Sequence, residues 1–186
     1  MKHLLTILLV IIAFCGFTQP TVFNLPEGPY GGGLGYDEIV ENPVSEGFHV
    51  VDTLPELIAA IANTSINKIY IEDGSNITVP DNQSITINRS NLVIAGGRGN
   101  KGSLAAILTK EFSSSGTQEL IRITALGNNV RITGLDLVGP YNLVENHEIR
   151  GVYAEPVTNL EIDNCYFYGW SGAGIDIQGN NSSDNP

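Results

Sequence analysis

The chain has 186 residues, 42% of them apolar, with 21 glycines and 9 prolines, a composition that excludes a wholly disordered chain and a collagen. Nine Lys and Arg against 20 Asp and Glu give a formal net charge of -11 at pH 7, which sets the surface against nucleic-acid phosphates and anionic membranes. The length suits one domain, and a monomer is expected.

Lys2 and His3 precede an apolar run from Leu4 to Phe14, the pattern of a secretory signal peptide and too short to cross a bilayer comfortably. The small residues Ala13, Gly16 and Thr18 place cleavage between Cys15 and Gln19, so residues 1–19 are expected to be removed. The expected address is secreted, periplasmic or cell-surface, with no membrane span in the mature chain. Phe14 stands where bacterial lipidation wants a small residue, which weighs against Cys15 as a lipid anchor. Cys165 is then the sole cysteine, and stability outside the cell must come from packing and backbone pairing.

Residues 20–52 are rich in Gly, Pro and acids, including Tyr30-Gly-Gly-Gly-Leu-Gly-Tyr36, and read as an extended lead-in. That glycine run has no following Lys-Ser/Thr and joins no strand to a helix, so it does not read as a phosphate cradle. Thr53-Leu54-Pro55-Glu56 predicts a capping box with Pro in the first turn. The helix that follows is expected to bury Leu57, Ile58 and Ile61 and to stop near Asn63.

Beyond the helix the period changes from helical to alternating. Short strands are predicted at 69–71, 77–79, 85–87, 92–94, 121–123, 130–132, 135–137, 152–154, 160–162, 165–167 and 175–177. Asn91-Leu-Val-Ile-Ala-Gly96, Asn129-Val-Arg-Ile-Thr-Gly134 and Asn159-Leu-Glu-Ile-Asp-Asn164 align position for position, the signature of a solenoid with loops of variable length. Gly134 and Asn164 share a corner position that wants a left-handed backbone, and the Asn91, Asn129 and Asn159 amides are placed to stack along the axis. The inferred fold is all-β: a parallel β-helix with three short strands per coil behind an N-terminal capping helix, spanning 53–186.

The capped helix, Asn91-Leu-Val-Ile-Ala-Gly-Gly-Arg-Gly99, the segment from Val130 to Pro140 and Ile162-Asp-Asn-Cys-Tyr-Phe-Tyr-Gly-Trp170 together resemble the right-handed parallel β-helix proteins of the pectin-lyase-like superfamily. The resemblance covers about Val50 to Gly179. It implies a helical lid on the first coil. The polar tail after Ile177 offers no matching lid, and further coils past Pro186 are expected.

Alternation places Arg122, Tyr153 and Asp176 in one outward column and Thr124, Glu155 and Gln178 in a second. Arg131 and Glu161 become rung neighbours, read as an exposed ion pair. In the resembled lyases and hydrolases, polysaccharide lies along this sheet. Arg122, Glu155 and Asp176 are therefore the candidate catalytic residues. As a lyase, Arg122 would clamp a uronate carboxylate while Glu155 and Asp176 hold Ca²⁺; as a hydrolase, Glu155 and Asp176 would form the carboxyl pair. Tyr141, Tyr153, Tyr168 and Trp170 are the candidate sugar-stacking residues, with loop packing as the alternative for those outside the column. His147, between Glu145 and Glu148, reads as a surface-loop histidine, and Cys165 as a core residue. Two functions stand open: an exported polysaccharide lyase or glycoside hydrolase, or the N-terminal part of one; or a noncatalytic adhesin or glycan-binding module.

Overall fold

The computed structural model describes residues 39–100, 103–111, 119–140 and 148–179. The signal segment, most of the lead-in, Tyr141, Glu145, His147 and the tail after Gly179 lie outside the described residues. Strand β1 (His49–Val51) is followed by helix α1 (Leu54–Ala62) and then by strands alone: β2 (Lys68–Ile71), β3 (Asn76–Val79), β4 (Ile85–Ile87), β5 (Leu92–Ala95), β6 (Ala106–Lys110), β7 (Glu119–Ile123), β8 (Val130–Thr133), β9 (Leu135–Val138), β10 (Arg150–Ala154), β11 (Leu160–Asp163), β12 (Tyr166–Tyr168) and β13 (Ile175–Ile177). All eleven expected strands are present. The lead-in ends in a strand, β1, and β6 is a further addition.

Every strand pairs in parallel with the strand one coil away, which makes three sheets: β1-β2-β5-β8-β11 (sheet 1), β3-β6-β9-β12 (sheet 2) and β4-β7-β10-β13 (sheet 3). After β1, the chain visits them from β2 onward in the order 1, 2, 3 and repeats, so it winds as a parallel β-helix. Register is in phase from coil to coil: Ile85, Ile121, Val152 and Ile175 stand in one line. A one-residue slip would turn each apolar line outward, so the buried interior itself fixes the register. Ile85, Ile121, Ile123, Val152, Leu108 and Ile132 fill that interior.

Corners are made by left-handed residues. Asn91, Asn129 and Asn159 enter sheet 1 with φ between 53° and 59°, and Gly134 and Asn164 leave it with φ 70° and 50°. The asparagine amides stack as expected, Asn129 Nδ2 donating to Asn91 Oδ1 at 2.9 Å and Asn159 Nδ2 to Asn129 Oδ1 at 2.7 Å. At Gly134 a Cβ would stand 2.1 Å from the Gly96 carbonyl oxygen, so this corner excludes any side chain.

Helix α1 buries Leu57, Ala60 and Ile61 against the first coil, while Ile58 is only partly covered. Its N-terminus departs from the expected capping box. Thr53 makes no side-chain cap, and the Glu56 carboxylate instead accepts from the Asp52 N–H at 3.2 Å. Outside the coil, Val40, Phe48, Tyr70, Val93 and Ala95 form a small second cluster that binds the incoming segment to sheet 1. At the far end, Ile175 and Ile177 remain 42% and 58% exposed.

Candidate functional site

Sheet 3 carries the outward column expected from alternation, with Thr86, Arg122, Tyr153 and Asp176 in direct register on four adjacent strands. Neighbouring parallel strands lie about 4.8 Å apart, so side chains in such a column touch along the axis. The Tyr153 ring lies within cation–π distance of two guanidiniums, Arg122 at 5.4 Å and Arg150 at 5.6 Å from its centroid. Such contacts favour a fixed ring and planar charges.

Each guanidinium is also held by two carboxylates. Arg122 donates to Glu119 Oε1 at 2.9 Å and to Glu155 Oε1 at 2.7 Å. Arg150 meets Asp176 Oδ2 at 2.8 Å and Glu148 Oε2 at 3.0 Å. The Ala125 N–H at 2.9 Å occupies the other Glu155 oxygen, and the Gln178 amide donates to the remaining Asp176 oxygen at 2.9 Å. The Ala125 N–H and Arg122 hold the Glu155 carboxyl below its usual range, while Glu155 and Glu119 hold Arg122 charged.

This arrangement bears directly on the chemistry. A glycosidase acid must be protonated at working pH, and Glu155 is pushed the other way. A calcium site needs several carboxylate or carbonyl oxygens free to turn toward one ion. Glu155 and Asp176 each spend theirs on arginines and amides, and among the described residues no group of three or more His, Cys, Asp or Glu is placed to hold a metal. What the column does offer is an aromatic ring beside ion-paired guanidiniums, in which four carboxylates surround two arginines.

The other candidate residues fall elsewhere. Tyr168 ends β12 on sheet 2, where its ring packs at 4.9 Å on Tyr166, so it lies in a strand and not in a loop beside the column. Trp170 is partly buried against the core, with its indole N–H donating to the Leu137 carbonyl at 3.2 Å. Arg131 is half-buried and its tighter partner is Asp163 at 2.6 Å, with Glu161 at 3.6 Å, so the expected exposed pair is a partly enclosed triad. The Cys165 sulfur packs against the core, and burial pushes its thiol up to about 12. Arg150, Glu119 and Glu148 were missed. The signal that finds Arg150 and Glu119 is their direct register across β10 and β7, at the strand entrances where the alternation breaks.

No protein-family model, no curated protein and no solved structure matches the chain. Among the described residues no helix is long and apolar enough to cross a membrane.

Proposed function

We propose that this chain is an exported parallel β-helix of the pectin-lyase-like kind whose sheet 3 binds a neutral polysaccharide without cleaving it. One observation carries the reading: Tyr153 stands in the outward column beside Arg122 and Arg150, each of which is already paired with two carboxylates. A sugar ring has an apolar C–H face and a rim of hydroxyls, which suits an aromatic side chain flanked by guanidinium N–H groups and carboxylate oxygens. With four carboxylates around two guanidiniums, on a chain of net charge -11, the strip has no excess of positive charge with which to draw in a polyanion. The lyase and hydrolase readings of Arg122, Glu155 and Asp176 require a free base, a protonated acid or a metal, and the ion pairs work against each.

Affinity electrophoresis through gels containing neutral or acidic polysaccharides tests this. The wild type is expected to be retarded by a neutral glycan, and Tyr153→Ala to lose roughly tenfold in affinity. Release of unsaturated sugars or new reducing ends by the wild type, abolished in Glu155→Gln, would replace binding with catalysis.

A further inference from the structure

Away from sheet 3, at the corner where sheet 1 turns into sheet 2, a depression of about 460 Å³ opens beside the incoming segment. That volume is in the range of small-molecule sites. Its apolar wall includes Val44 and Val50, which are 78% and 39% exposed. Its polar wall includes Glu41, Glu72 and Asp73, and no Lys, Arg or His is among the residues lining it.

Hydrogen-bond accounting narrows what could enter. The Tyr70 hydroxyl donates to Asp73 Oδ1 at 2.5 Å, the Ser103 hydroxyl donates to Asp73 Oδ2, and the Asn100 amide donates to the Val40 carbonyl. Burial and the adjacent Asp73 hold the Tyr70 phenol far above its usual range, so it stays a donor to that carboxylate. The hydroxyl donors of Tyr70 and Ser103 and one of the two Asn100 N–H donors are thereby used inside the protein. The capacity left over on the open side is for accepting, from the exposed Glu41 and Glu72 carboxylates. The convergence is built in, because a Cβ on Gly97 would stand 2.1 Å from Ser103 Oγ, 2.2 Å from Asp73 Oδ1 and 2.7 Å from the Tyr70 oxygen.

We propose that this depression is a binding site for a small organic cation, an alkylammonium whose N–H donors meet Glu72 and its neighbouring acceptors while its aliphatic body lies on Val44 and Val50. An anion is repelled by the three carboxylates. A neutral sugar brings as many acceptors as donors, and among Tyr70, Ser103 and Asn100 only the second Asn100 N–H is left to meet its oxygens. An ammonium on a short apolar stem matches both walls.

The test is amide chemical-shift mapping on the whole chain, titrated with n-pentylammonium chloride and, separately, with 1-pentanol and sodium pentanoate. The expected result is saturable shifts at Val50, Gly97 and Ser103 with the ammonium alone. Glu72 is exposed, so Glu72→Gln keeps the fold and should weaken binding about tenfold. Val50→Ser should weaken it by a smaller factor. Tyr153→Ala should leave it unchanged, which separates this site from the sheet 3 reading. Equal shifts with pentanol, shifts spread over the acidic surface without saturation, or an affinity untouched by Glu72→Gln would each overturn the proposal.

Discussion

Asn129 combines two properties that few side chains can supply together. Its backbone takes φ 53°, and its amide both donates to Asn91 and accepts from Asn159. Asparagine tolerates the left-handed region better than alanine, and glycine tolerates it best. Asn129→Ala removes the ladder and adds backbone strain, whereas Asn129→Gly removes only the ladder. Urea denaturation should therefore find Asn129→Gly more stable than Asn129→Ala by about 1 kcal/mol. Equal losses would mean that the backbone strain is released in some other way. The ladder was legible in the sequence because the three asparagines open three aligned segments. Their own left-handed backbone was not, since alignment shows that a residue recurs without showing which φ it holds.

At the scale of single elements, β6 shows where alternation stops being readable. Its inward positions are Ala106, Leu108 and Lys110, and Lys110 is fully buried. A charge at an inward position looks like an interruption of the apolar pattern. The compensation comes from the previous coil: the ammonium donates to the carbonyls of Pro80 at 2.7 Å, Asp81 at 3.1 Å and Gln83 at 2.6 Å. Burial lowers the Lys110 pKa, and the cage of carbonyls keeps its charge hydrogen-bonded. Lys110→Met fills the same space but leaves those carbonyls without their donor, and should lower stability by about 3 kcal/mol in thermal denaturation. No change in stability would show that the β3–β4 corner satisfies itself. The same reasoning explains the candidate site. Arg122, Tyr153 and Asp176 were legible from parity within regular strands, whereas Arg150 and Glu148 stand at a strand entrance where parity fails. The Tyr70, Asp73 and Ser103 cluster was not legible, because Ser103 lies 30 residues from Asp73 and meets it only once the coil closes.

For the molecule as a whole, each coil is stabilised chiefly by its neighbours, as in other solenoids. The first coil is closed by α1, whose Leu57 and Ile61 are buried, while inward residues of β13 remain exposed. Local opening should therefore be easiest at β12 and β13. Native-state amide exchange is expected to protect β5, β7 and β8 most strongly, with protection falling through β11 to β13; uniform protection would mean that the coils open only as a single unit. The ladder from Asn91 to Asn129 spans 38 residues and that from Asn129 to Asn159 spans 30, yet both close with the same amide contact. Pitch and contour length are thus uncoupled. A lineage built on this plan can lengthen or shorten the excursions at its corners while each turn returns to the same amide step, so new recognition surfaces can be acquired without renegotiating the interior.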